Sequence, residues 1–152
     1  MKKIYSILFA LIFTISNPII SSASSNLPKI VPQQNSDENI ILDDGIIIEY
    51  TLTELISNKR SNTKTAVKTA TCKFDGNVIA TIELTATFTY TGSSATCTNA
   101  SATYSMTTGW SYINKTTSRN KNTATTSARI IKGINHADVN VTMKCSGSGV
   151  IS

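Results

Sequence analysis

Between Val78 and Tyr90 the chain alternates apolar and polar side chains. The even positions are Val78, Ala80, Ile82, Leu84, Ala86, Phe88 and Tyr90, and the odd ones are Thr81, Glu83, Thr85, Thr87 and Thr89, with Ile79 the one apolar exception. A two-residue period held over this length predicts a β-strand with one face in a core and the other in water, because successive side chains point to opposite sides. The same spacing at Ile46, Ile48, Tyr50 and Leu52 predicts a first strand, with order beginning at Ile46. Further strands are expected at Val67 to Phe74, Ala95 to Met106, Trp110 to Lys115, Thr123 to Ile131 and Ala137 to Cys145, with Gly, Asn and Ser breaks between them. The connections are too short for helical crossovers. The expected fold is therefore all-β: an antiparallel β-sandwich, immunoglobulin-like or a related Greek key, of about seven strands.

The break at Asp75-Gly76-Asn77 invites a register argument. A two-residue loop would pair Phe74 with Asn77 and put the apolar positions of the two flanking strands on opposite faces. A three-residue loop pairs Phe74 with Val78, Cys72 with Ala80 and Ala70 with Ile82, all on one face, and is the expectation, with Gly76 or Asn77 at positive φ. Turns are also expected at Thr91 to Ser94, around Arg119 to Asn122, and near Gly133-Ile134-Asn135.

The start of the chain reads differently. Lys2 and Lys3 precede an apolar run from Ile4 to Ile15, and Ser21-Ser22-Ala23 offers the small residues of a cleavage site, so residues 1–23 are expected to be a signal peptide cut after Ala23. Spanning a bilayer takes about 20 apolar residues, and Asn17-Pro18 interrupts this run. No stable membrane insertion is expected after cleavage. Residues 24–44, polar and acidic with Pro28 and Pro32, read as a disordered leader or a removable pro-segment, and 45–152 as the sandwich domain.

Charge adds an asymmetry. The net charge of +5 falls to +3 without Lys2 and Lys3, yet Asn26 to Asn58 holds one base against six acids, and the chain from Lys59 onward holds eleven bases against three acids. Either the acidic front lies against the basic body or the body meets an anionic partner. Nucleic acid is not expected as that partner for an exported chain of so small a net charge. The outward Thr85, Thr87 and Thr89 suit an exposed pleat; ice-binding solenoids also show such rows, but no solenoid repeat accompanies this one.

The three cysteines, in a chain that begins with an export signal, point to an oxidising compartment. A bridge from Cys97 to Cys145 would close a loop of 47 intervening residues, worth about 3–4 kcal/mol on a chain-entropy estimate. Cys72 is then a buried free thiol, or pairs otherwise, within the chain or between chains. The order Cys97, Trp110, Cys145 loosely resembles the immunoglobulin arrangement, although Met143 stands where the tyrosine corner belongs.

A closer resemblance rests on Asp44-Gly45, Glu49 to Glu54, Ala86 to Thr98, Val141 to Ser146 and the terminal Ile151-Ser152. These stretches resemble a group of small secreted proteins of unknown function from Gram-positive, clostridial-type bacteria. The resemblance implies a secreted β-sandwich with one bridge and transfers no site. Cys72 and the Asn135-His136 turn are not features of that group.

Catalytic chemistry finds little footing. His136 is the only histidine, with Asp138 two residues along, and Gly147-Ser148-Gly149 is not a nucleophile elbow. One His and three scattered Cys give no zinc spacing, and Asp43-Asp44-Gly45 and Asp75-Gly76-Asn77 read as turns before calcium loops. No cofactor is expected, and the chain reads as non-enzymatic. Binding is the expected role, outside the cell or loosely on its surface, toward an anionic cell-wall polymer, a glycan or a surface protein. The candidate residues are Trp110 and Tyr112 as exposed rings and Lys115, Arg119, Lys121, Arg129 and Lys132 as cations on the adjoining hairpin. The alternative is a secreted effector or bacteriocin-like protein with an acidic pro-segment.

Overall fold

The computed structural model describes residues 38–42, 45–55 and 62–152. The expected signal peptide, leader residues 24–37 and 43–44, and residues 56–61 lie outside the described residues. Within them the chain forms eight strands: β1 (Glu38–Ile41), β2 (Ile46–Leu55), β3 (Thr63–Phe74), β4 (Asn77–Tyr90), β5 (Ala95–Met106), β6 (Ser111–Asn120), β7 (Thr123–Lys132) and β8 (Asn135–Lys144). They make two antiparallel sheets, one in the order β1-β2-β3-β4-β5 and one in the order β6-β7-β8. The smaller sheet packs on the larger, β8 across β3 and β4 and β7 across β4 and β5. The all-β antiparallel sandwich is thus the architecture of the chain.

Its connectivity is plainer than the immunoglobulin-like or Greek-key pattern expected from sequence. Within each sheet every strand pairs only with strands next to it in the chain, and the step from β5 to β6 is where the chain changes sheet; connections of two to four residues from β3 onward leave no room for a crossover. The Cys, Trp, Cys order accordingly carries no immunoglobulin geometry. Trp110 lies next to the end of β7 that holds Ile131, and the cysteines lie near Thr123 at the other, about 25 Å away at the rise of an extended strand. The strand beyond the expected seven is β1, inside the stretch assigned to the leader. Ile40 pairs with Ile48 there, so ordered structure starts ahead of Ile46.

The core lies between the sheets. Ile82, Leu84, Ala86 and Phe88 of β4 are fully buried, facing Ala124 and Ile130 of β7 and Val139, Val141 and Met143 of β8. The β3–β4 turn corrects the expected loop. Asp75 and Gly76 form a two-residue turn, both at positive φ (50° and 75°), and Phe74 pairs with Asn77, not with Val78. Such turns match the right-handed twist of the flanking strands. The resulting face conflict is absorbed by a bulge beside Cys72, after which Cys72 pairs with Ala80 and Ala70 with Ile82, as the face argument requires. Val78 consequently turns outward, 48% exposed, while Ile79 is buried. The carbonyls of both are held by Thr107, through its hydroxyl to Val78 at 2.9 Å and its N–H to Ile79 at 2.9 Å.

A second bulge lies in β5, where Phe88 pairs with Cys97 and Thr87 with Asn99. Thr98 is the extra residue, its hydroxyl donating to the Thr87 carbonyl at 3.1 Å. It reverses the parity of the strand and brings Cys97 to the inner face. Near the same end the chain folds back after β8, bridging Cys145 to Ile151 and giving the Gly147 carbonyl to the Gly92 N–H at 2.8 Å. A Cβ on Gly147 would stand 2.5 Å from the Ser93 carbonyl carbon. Gly147→Ala is therefore expected to lower stability by about 2–3 kcal/mol through backbone overpacking. Gly133→Ala, at φ 61° with open space around it, should cost only about 1 kcal/mol of left-handed strain. Urea unfolding of the two variants checks the order.

Candidate functional site

The residues nominated as a binding surface divide into three groups. Trp110 is not an exposed platform: it is 7% exposed, packs edge-on against Phe74 with centroids 5.6 Å apart, and carries the Lys132 ammonium 5.7 Å from its ring centre. The turn ending β5 points it inward, with Gly109 at φ 91°. Tyr112 is half-buried, and its hydroxyl donates to the carbonyls of Thr81 (3.0 Å) and Ser105 (2.9 Å) of the larger sheet. Both rings fasten the β6–β7 hairpin to the larger sheet, and neither is the fully exposed ring expected from the sequence. Lys132 is engaged in the same contact.

Arg129 stands apart as well. On the outer face of the smaller sheet it makes a bidentate pair with Asp138, Nε to Oδ1 at 2.7 Å and Nη2 to Oδ2 at 2.6 Å. These bonds hold the Asp138 carboxyl below its ordinary range. The pair borders a shallow polar hollow of about 270 Å³ with Asn114, Ser127 and Asn140. Asn114 enters it from a β6 bulge between Ile113 and Thr116, at φ 55°. The sequence gives no apolar pattern that would announce this bulge.

Lys115, Arg119 and Lys121 remain, and the structure sets them along β6 and its turn. β6 is a free edge, exposed along nearly its whole length. From Lys115 to Lys121 the row extends about 20 Å at the rise of a strand. Lys115 rests over the Tyr104 ring at 5.1 Å, and Arg119 lies close enough to Cys97 to act on its thiol. Lys64–Glu54, Lys73–Glu49 and Arg129–Asp138 form ion pairs, none of which involves this row. The chain explains why: no Asp or Glu occurs between Glu83 and Asp138. Among the described residues the β6 edge is thus a line of positive charge with no carboxylate paired to it.

Other titratable groups serve the core. Burial pushes the Cys72 thiol up to about 12; burial, then the nearby Cys72, raises the Tyr112 phenol. His136 lies beside the β7–β8 turn, Nδ1 3.3 Å from the Ile134 carbonyl, and among the described residues no three His, Cys, Asp or Glu side chains are placed to share a metal ion. No helix of the described residues is long and apolar enough to cross a membrane.

Fold and site together define a two-meander antiparallel β-sandwich with one basic edge. No family model, curated protein or solved structure matches the chain.

Two outcomes follow from this geometry. Trp110→Ala should destabilise the fold by about 3–5 kcal/mol, as truncation of a buried aromatic does, seen as a lower urea midpoint. Stability should also depend on alkaline pH. A raised folded-state pKa means that the folded chain holds the proton more tightly, so the contribution of neutral Cys72 is complete below pH 9.0 and is lost as pH rises toward about 12. Urea midpoints should be level near neutrality and fall above pH 9, with a shallower fall in Cys72→Ala. An equal fall in that variant would remove Cys72 from the account.

Proposed function

We propose that this protein is exported and works outside the cell as a non-enzymatic binding module, gripping an anionic cell-wall polymer along the β6 edge. Lys115, Arg119 and Lys121 supply the attraction, and the neighbouring Ser118 and Asn120 supply hydrogen-bond donors and acceptors between the charges. The observation that carries the reading is the row itself: two cations on one exposed strand and a third in the turn that ends it, with no carboxylate paired to them among the described residues. A phosphate-bearing linear polymer is the ligand class it suits, since charges spaced along a line meet a repeating anion better than a compact one. The effector reading has less support, because the acidic segment it would remove contributes β1 to the larger sheet.

Binding to a polyol-phosphate polymer should be salt-sensitive, because exposed charges are screened over about 8 Å at physiological ionic strength. The triple variant Lys115→Ala, Arg119→Ala, Lys121→Ala should weaken it roughly tenfold, at about 0.5 kcal/mol for each exposed contact. Lys73→Ala, whose cation is already paired with Glu49 at 2.7 Å, should change it little. Pulldown and titration with the isolated polymer decide the matter. Binding that is indifferent to salt and to the triple variant would refute the proposal.

A further inference from the structure

The three cysteines are divided between the two ends of the sandwich. Cys72 pairs with Ala80, and Cys97 with Phe88, on opposite flanks of β4. The strand between those partners spans about 26 Å at 3.3 Å per residue, whereas a disulfide requires Cα atoms within about 7 Å. Cys72 is therefore out of reach of Cys97 in the folded chain. It is fully buried among the side chains at its own end.

Cys97 and Cys145 come from different sheets but share one anchor. The Cys97 N–H donates to the Lys121 carbonyl at 2.7 Å and the Cys145 N–H to the Asn122 carbonyl at 3.0 Å, adjoining groups of the β6–β7 turn. The Asn122 amide returns a bond to the Cys145 carbonyl at 2.6 Å. The β5 bulge turns Cys97 inward, and the parity of β8 does the same for Cys145, so both are buried on the interlayer side, at 5% and 0% exposure. Charge on one thiol would be felt by the other. Each sulfur is hydrogen-bonded only to a carbonyl close by in its own chain segment, Cys97 to Asn99 at 3.2 Å and Cys145 to Ser146 at 3.4 Å. All three thiols are unbonded to one another in this structure.

We propose that Cys97 and Cys145 are an oxidisable pair that closes into a disulfide joining the two sheets beside the β6–β7 turn, with Cys72 left as a buried thiol. The reaction is thiol–disulfide exchange with a low-molecular-weight disulfide as oxidant. Cys97, the more exposed of the two, loses its proton to solvent against a burial cost that the nearby Arg119 guanidinium only partly offsets, and attacks one sulfur of the oxidant, forming a mixed disulfide and releasing one thiolate. Cys145 then loses its proton, attacks the Cys97 sulfur and expels the second thiolate. Two protein thiols are oxidised and one small disulfide is reduced to two thiols. The bridge does not depend on the polymer reading.

The test uses the folded full-length mature chain with oxidised glutathione, followed by alkylation of remaining thiols, intact mass and peptide mapping. The expected product has lost two hydrogens, retains one alkylatable thiol at Cys72 and yields a linked Cys97–Cys145 peptide. Cys72→Ser should close as readily as the unaltered chain, and Cys145→Ser should stop at one glutathionyl group on Cys97. Three alkylatable thiols after prolonged oxidation, a stable glutathione adduct without closure in the unaltered chain, or a monomeric bridge that includes Cys72 would each overturn the assignment.

Discussion

Ile82, Leu84, Ala86 and Phe88 run in a line down the inner face of β4, and the rest of the molecule is arranged to keep water from that line. One face of an antiparallel sheet can be left to solvent only if the other is covered. Here the cover is three strands wide and the sheet beneath it is five. β7 and β8 lie over β4 and its neighbours, so the middle of the larger sheet is dry and its flanks are not equally protected. The sequence adapts to that gradient. On the inner face of β3, Ala66, Ala70 and Cys72 are fully buried, while the inward positions at Lys64 and Lys68 are half-buried lysines. Their stems cover apolar surface and their ammonium groups reach Glu54 at 3.1 Å and the Tyr50 ring at 5.9 Å.

The two open sides of the sandwich pose a second problem, because there the apolar core meets water. Tyrosine answers it on both sides. Tyr50 donates to the Asn140 carbonyl of β8 at 3.1 Å. On the other side Tyr104 meets the Thr126 hydroxyl at 2.7 Å, and Tyr112 reaches back to Thr81 and Ser105. The rings of Tyr104 and Tyr112 also meet edge to face, 5.4 Å apart. An aromatic body extends the core to its rim and the hydroxyl ends it with a hydrogen bond. Thr126, the one fully buried polar residue among those described, is tolerated because its hydroxyl is shared with Tyr104, Thr117 and the Thr116 carbonyl.

Period-two alternation made β4 and β5 legible in the sequence, and β7 nearly so, because each has a face committed to the core. It failed where that commitment weakens. The first residues of β3, Thr63 to Ala66, fall outside the expected strand because Lys64 occupies an inward position and breaks the apolar series. The second half of β6 was missed because an edge exposed on both faces has no pattern to show. Bulges are the other blind spot. The face requirement for Cys72 and Ala80 was readable, but whether the chain meets it with a longer turn or with an irregularity in the ladder depends on twist, which composition does not record. The site suffered most. Trp110 and Tyr112 looked like ligand platforms from residue type alone, while their burial depends on how the β5–β6 connection passes from one sheet to the other. The absence of acids between Glu83 and Asp138 was visible throughout and marks the β6 edge better than any aromatic.

A free edge strand with lysines can be explained as protection against pairing with another chain. Protection, however, asks only for a charge or two along the edge and sets no condition on neighbouring strands. Here the whole span from β5 through β7 lacks carboxylates, and the hairpin that carries the cations is fixed at both ends. At one end Trp110 is held between Phe74 and Lys132. At the other the Lys121 and Asn122 carbonyls are taken by the N–H groups of Cys97 and Cys145. Ordering of loops and backbone is among the costs of association, and a line of charges mounted on a held hairpin has less of it left to lose. The anchors that keep β6 against the core are thus the same ones that would let a linear anion meet three cations without bending the protein to do so.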